Sequence, residues 1–147
     1  MFLQIAIGTG LMMLSLAVGG LGILAMELGF ARSHLWLIRE PHRPKLLLVM
    51  LGVSFVVLGI ITAGVWIWAL AFYFLGIFVT LEASVYFSLV SFTTLGFGDV
   101  LLPRDWRLLS GMAAANGLLN FGLLTALLVE ALRHVRLGQM NARKRQD

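Results

Sequence analysis

The chain has 147 residues, 60% of them hydrophobic and 12% charged, with a formal net charge of +4. A soluble domain would carry roughly 25% charged residues, so this composition, with a mean hydropathy of +0.95, fits one small membrane domain and excludes an ordinary soluble enzyme. The basic residues flank apolar runs and do not form one stripe, which argues against a nucleic-acid surface, and without cysteine disulfide and thiolate chemistry are excluded.

The first apolar run covers 1–31, broken only by Gln4 and Glu27. It is too long for a signal-peptide core and lacks a charged start, so it predicts a transmembrane helix. Its glycines include the small-residue spacings Ser15-x-x-x-Gly19 and Ala25-x-x-x-Gly29, which suit close helix packing. Glu27 reads as an interfacial carboxylate or a partner for a following arginine. A basic connector over 32–45 comes next, with Arg32, Arg39, Arg43 and Lys45. Pro41-x-x-Pro44 predicts a short bent loop there. His34 and His42, eight residues apart with Pro41 between them and without a further ligand, read as solvated loop residues.

The second run, 46–81, has no charge. It predicts an outer helix over 46–73, then an approach to the next element. Trp66, Trp68, Phe72, Tyr73, Phe74 and Phe78 cluster at its far end, which places that end near a headgroup layer. Thr80 is a plausible N-cap, with Glu82 in the first turn. The helix expected over 82–93 would be about 18 Å long, too short for a hydrocarbon core of about 30 Å. It should therefore enter and leave from one side.

That helix runs into Ser91-Phe92-Thr93-Thr94-Leu95-Gly96-Phe97-Gly98-Asp99-Val100. Non-helical backbone at membrane depth is tolerated only where protein buries it or where it lines a watery path. The last apolar run predicts a helix over 106–137, followed by a basic tail over 138–147. Lys and Arg concentrate in the connector and in Arg133, Arg136, Arg143, Lys144 and Arg145, against only Arg104 and Arg107 between. The positive-inside rule puts the connector and the C-terminus in the cytoplasm and the N-terminus outside, in a plasma or bacterial inner membrane.

The Thr94-to-Asp99 string resembles the TTVGYGD selectivity filter of potassium channels. Residues 46–137 resemble that family's pore module of outer helix, pore helix, filter and inner helix. Asn116-Gly117-Leu118-Leu119-Asn120-Phe121-Gly122 resembles its inner-helix stretch, with hinge-type glycines at Gly117 and Gly122. The resemblance implies an all-α membrane protein with three transmembrane helices and a re-entrant pore helix and loop, assembled as a homotetramer among membrane lipids. It implies no cofactor beyond permeant K+. It assigns K+ coordination to Thr94, Leu95, Gly96 and Phe97, with Gly98 completing the strand.

Chemistry explains the pattern. An ion leaving water needs replacement oxygens, and successive backbone carbonyls supply them if all point to one axis. That demands alternating backbone handedness, which glycine accepts. At 100° per residue, Leu118, Phe121, Thr125 and Val129 share a stripe that would line a cavity and gate. Arg133 lies close to it, and Gly111, Ala114 and Ala115 lie higher up with room for the pore helix. Glu130 and Arg133 read either as a charged gate or as headgroup anchors. Asn116 and Asn120, on another face, should form interhelical hydrogen bonds.

The chain departs from the family at several positions. Leu95 and Phe97 stand where the family has Val and Tyr. Tyr86 and Phe87 replace a tryptophan pair, and Val90 replaces a glutamate that pairs with the filter aspartate in some members. The supports Thr93, Asp99, Tyr86, Phe87 and Val90 therefore form an apolar brace held by packing, with Asp99 lacking that carboxyl partner. The segment from Asp99 to Pro103 is one residue longer than the pattern. The first helix is additional and lacks the spaced arginines of a voltage sensor, so gating falls to the membrane, the connector, pH or an unidentified regulatory partner. A weakly selective cation channel and a non-conducting accessory subunit are the alternatives. No nucleophile–base pair or metal-ligand spacing points to an enzyme.

Overall fold

A computed structural model of the protein describes residues 1–38 and 42–143. Its helices are α1 Phe2–Ile38, α2 His42–Phe74, α3 Leu81–Phe92 and α4 Arg107–Arg143, with a 3-10 turn, Arg104–Trp106, leading into α4. No strand occurs among the described residues. Among them, Phe2–Gly29, Leu47–Phe74 and Arg104–Glu130 are long and apolar enough to cross a membrane. The protein is an all-α, multi-pass membrane protein. With 12 residues, α3 extends only about 18 Å.

The helices run further than the apolar segments do. The 37 residues of α1 reach about 55 Å, so its end projects beyond the hydrocarbon. Within the described residues the expected connector is helical at 32–38 and 42–45, because 32–38 holds no proline or glycine to stop α1. Pro44 is the third residue of α2, in the first turn, where a missing N–H costs no intrahelical bond. In α4 the helix continues past Gly138 to Arg143, since a lone glycine costs only about 1 kcal/mol. Arg39, Glu40 and Pro41 of the connector, and Lys144 and Arg145 of the tail, lie outside the described residues.

The end of α2 is set by backbone chemistry. Gly76 has φ +68°, its N–H bonds the Tyr73 carbonyl, and the Ile77 N–H reaches back to Phe72. This paired arrangement is a Schellman cap, which closes orphan carbonyls around one left-handed residue.

Helices in lipid gain little from apolar contact alone, so close packing and buried polar ties hold them together. Trp68, Phe72, Phe92, Leu109 and Ala113 are fully buried where α2, α3 and α4 meet. Phe72 contacts Phe87 edge-on, with centroids 5.4 Å apart. The aromatic cluster expected at the headgroups therefore divides by helix face. Trp68 and Phe72 fill the core, whereas Trp66, Tyr73 and Phe74 point outward. Small side chains let α3 approach α2: Ser84 and Ser88 are fully buried, and the Ser88 hydroxyl donates to the Val65 carbonyl at 2.6 Å.

α1 packs against both α2 and α4. Gly8 receives Met112, Gly22 receives Ile60, and Gly19 lies under Asn120. Asn120 Nδ2 donates across to Ser15 Oγ at 3.3 Å and also reaches Asn116 Oδ1 at 3.1 Å. The expected interhelical polar contact thus joins the first helix to the last. Gly29 meets open space, so of the two spaced small-residue pairs only Ser15–Gly19 is packed.

The tightest approach lies between α3 and α4. A Cβ on Gly117 would fall on the Phe92 carbonyl oxygen, with the carbonyl carbon 2.6 Å away. The small-residue contact is made by Gly117, with Ala113 buried in the core beside it. Gly111, expected to make room for the pore helix, instead meets open space. A backbone carbonyl ending a helix cannot move aside as a flexible side chain can. Gly117→Ala should therefore destabilise the fold by about 3 kcal/mol, at the upper end of ordinary overpacking. Gly122→Ala, with nothing within 4 Å, should be neutral or stabilising by up to about 1 kcal/mol. Thermal unfolding of the purified protein in detergent checks the contrast, and equal effects at both glycines would contradict it.

Candidate ion-conduction site

The segment from Thr80 to Asp99 builds the site. Thr80 is extended, at φ −114° and ψ 146°, and its side chain accepts from the Ala83 N–H. That N-cap starts α3, with Glu82 in the first turn, where a carboxylate suits the helix dipole.

The carboxyl end of α3 is more unusual. The Thr94 N–H bonds the Ser91 carbonyl at 2.9 Å, and the Leu95 N–H bonds the Val90 carbonyl at 3.0 Å. This is a second Schellman cap, and Thr94 occupies the left-handed position with φ +61°. Glycine normally fills that position. A β-branched residue there is a genuine outlier, costing about 1–2 kcal/mol. Strain of this kind persists where the surroundings enforce it, and often at functional sites.

Positive φ recurs at Gly96 (+55°) and Gly98 (+78°), while Leu95 and Phe97 stay in the ordinary half of backbone space. Handedness therefore alternates at every residue from 94 to 98. The Val90 carbonyl accepts from Leu95 and also from the Gly96 N–H, at 3.3 Å. In a planar trans peptide the carbonyl opposes its N–H. The Thr94 and Leu95 carbonyls accordingly point away from the α3 end.

Side chains around this loop divide into two groups. Val90 is buried, as is Phe87, which packs between Phe72 and Phe78. Thr93 is half-buried, and its hydroxyl returns to the Leu89 carbonyl at 2.7 Å. Thr94, Leu95, Gly96, Phe97, Gly98 and Asp99 are exposed in the single chain. No own-chain packing cuff surrounds Phe97, which is 66% exposed.

One expectation is corrected here. The filter supports, with Val90 in place of the glutamate, are expected from the sequence to form an apolar brace held by packing. Instead the Tyr86 hydroxyl donates to Asp99 Oδ2 at 2.5 Å. The brace is polar, because Tyr86 keeps a donor that Phe87 and Phe97 lack. No local pattern marks this contact, which joins the middle of α3 to the end of the loop that follows it, 13 residues on.

Along α4 the expected stripe is partly broken. Leu118, Thr125, Val129 and Arg133 are exposed. Phe121 is half-buried, and its ring centroid lies 6.3 Å from that of Phe92. The Thr125 hydroxyl bonds the Phe121 carbonyl at 2.7 Å within its own helix. Arg133 pairs with Glu130 at 3.6 Å, with both side chains about two-thirds exposed (69% and 65%), so the pair adds at most a few tenths of a kcal/mol. Gly117 is committed to close approach, whereas Gly122 is open. No cluster of three or more candidate metal-ligating side chains occurs among the described residues.

A protein-family model described as "Ion channel" matches residues 46–134. Comparison with curated proteins and with solved structures gives no match.

The Tyr86 donation stabilises ionised Asp99 and holds its carboxyl below the usual carboxylate range, against an opposing push from burial. A depressed folded-state value means that the contact favours the folded form above the ordinary carboxylate range. The benefit is lost as pH falls through the lowered value. Tyr86→Phe should raise the Asp99 value toward the ordinary one. Carboxyl carbon chemical shifts followed by NMR across acidic pH would measure it, and an unchanged midpoint would rule out the brace.

Proposed function

Because the chain belongs to the ion-channel family of the two-transmembrane pore type, we propose that it is a potassium-selective channel. The observation that carries this reading is the alternation of positive φ at Thr94, Gly96 and Gly98. Such a strand turns successive carbonyls to one side, as dehydration of a bare cation requires. In this reading the oxygens of Thr94, Leu95, Gly96 and Phe97 replace the hydration shell, and Gly98 completes the strand. The carboxyl end of α3 adds a partial negative charge below.

One chain supplies one strand, so a closed ring requires copies about an axis, and the family pattern makes four. The exposed loop and the exposed Leu118, Thr125 and Val129 are the faces such a ring would cover or line. Phe121, turned toward Phe92, contributes less to that lining. Arg133 and Glu130 lie near the cytoplasmic end, with the N-terminus outside. The exposure of Leu95 and Phe97 supports a second reading, a weakly selective cation channel, because neighbouring copies would set the width of the ring.

Flux into vesicles holding the purified protein separates these readings. Potassium should enter at least ten times faster than sodium and be blocked by barium. Equal rates would leave only the weakly selective channel, and no flux would remove both. Gly96→Ala should abolish selective flux. Its added Cβ meets nothing within 4 Å in its own chain, so no crowding within the chain accounts for the loss, whereas the left-handed backbone at Gly96 does. Normal selective flux in that variant would rule out the proposed filter.

A further inference from the structure

The first helix lies outside the matched residues 46–134, yet it reaches the base of the candidate filter. Ser15 is 2% exposed although it sits midway along a membrane-spanning helix. Its hydroxyl oxygen and the ring of Phe92 both close over Gly64 of α2, at 3.3 Å and 2.7 Å from where a Cβ would stand. The same oxygen accepts from Asn120 Nδ2 of α4. Asn120 in turn reaches both the carbonyl and the side-chain oxygen of Asn116, next to Gly117 and its contact with Phe92. Asn116 is fully buried, and its Nδ2 has no partner among the described residues. Asn120 Nδ2 thus has three oxygens for its two hydrogens, two of them on its own helix, and Ser15 Oγ is the one that another helix supplies. At the outer end Gln4 donates to the Asp105 carbonyl in the turn that leads into α4. The first helix is thus fastened to the last at two levels.

We infer that Ser15 is a positioning residue for the ion path: through Asn120 and Asn116 it seats α4 against the carboxyl end of α3. Thr93 and Thr94 follow directly on Phe92, so the seat of Gly117 under the Phe92 carbonyl fixes where the strained strand begins. Lateral drift of α4 would remove that stop and let the Thr94 cap relax toward an ordinary backbone. This inference rests on the potassium-filter reading for its consequence, but its contacts stand without it.

The test compares wild type, Ser15→Ala, Ser15→Thr, Asn120→Ala and the double variant Ser15→Ala/Asn120→Ala. Gly10→Ala serves as a control on an open face of α1. The potassium-to-sodium flux ratio is read alongside the unfolding midpoint in potassium minus that in sodium. A ligand that binds only the folded filter raises the midpoint, so a purely structural defect lowers both midpoints together and leaves the difference unchanged. Ser15→Ala and Asn120→Ala should each reduce the flux ratio by about threefold, the typical worth of one interhelical hydrogen bond in a membrane. Each should also shrink the midpoint difference. The double variant should be no worse than the stronger single one, while Ser15→Thr and Gly10→Ala should resemble wild type. Parallel falls in both salts with an unchanged flux ratio, or additive single effects, would overturn the inference. If wild type shows no preference for potassium, the filter reading fails, and the positioning role is then read from amide hydrogen exchange at residues 93–98. Faster exchange in Ser15→Ala would support it, and unchanged exchange would overturn it.

Discussion

The structure depends on one close approach, the Phe92 carbonyl against Gly117. A helix end leaves its last carbonyls without intrahelical partners, and in a membrane protein lipid offers no donors. The α3 terminus resolves this by folding back on itself. Val90 and Ser91 accept from the loop's own N–H groups, while the Phe92 carbonyl is covered by the bare face of α4. Every other helix attends this point. α2 provides Gly64 for the Phe92 ring, α4 provides Gly117 and Phe121, and α1 provides Ser15.

The cap also explains why the loop has the form it does. Closing α3 by a Schellman turn forces the next residue into left-handed space, and that residue is Thr94. Its strain is offset by the bonds the cap makes and by the packing behind it. The cap thereby starts the alternation that Gly96 and Gly98 continue. Helix termination and the geometry proposed to receive an ion are one backbone event. Beyond Gly98 the Tyr86–Asp99 bond ties the strand back to the middle of α3, so residues 94–99 are held at both ends.

Much of the architecture was legible in the sequence. The spans follow from uninterrupted apolar runs, the start of α3 from Thr80 and Glu82, and the short helix with its glycine-punctuated loop from length alone. Alternation at Gly96 and Gly98 was also readable, because glycine accepts the left-handed backbone that Leu95 and Phe97 resist. Helix ends were less legible, because proline in a first turn and a lone late glycine do not stop a helix that has nothing competing with it. The aromatic cluster's division into a buried pair, Trp68 and Phe72, and an outward group was not legible, because composition says nothing of which helix face meets α3. Positive φ at Thr94 had no local signature at all, since threonine ordinarily avoids it.

By itself the sequence determined the class of protein, its spanning helices, the half-length helix and the glycine pattern of the loop. These follow from hydropathy, length and single-residue backbone preference, which act over a few neighbouring residues. Only the tertiary structure decided that Tyr86 braces Asp99, that glycine at 117 answers a need for space, and that Ser15 reaches Asn120 from a separate helix. Each of these joins residues distant in the chain through a contact of a few ångströms. Whether such a contact forms depends on how the helices rotate and cross, and no local pattern encodes that.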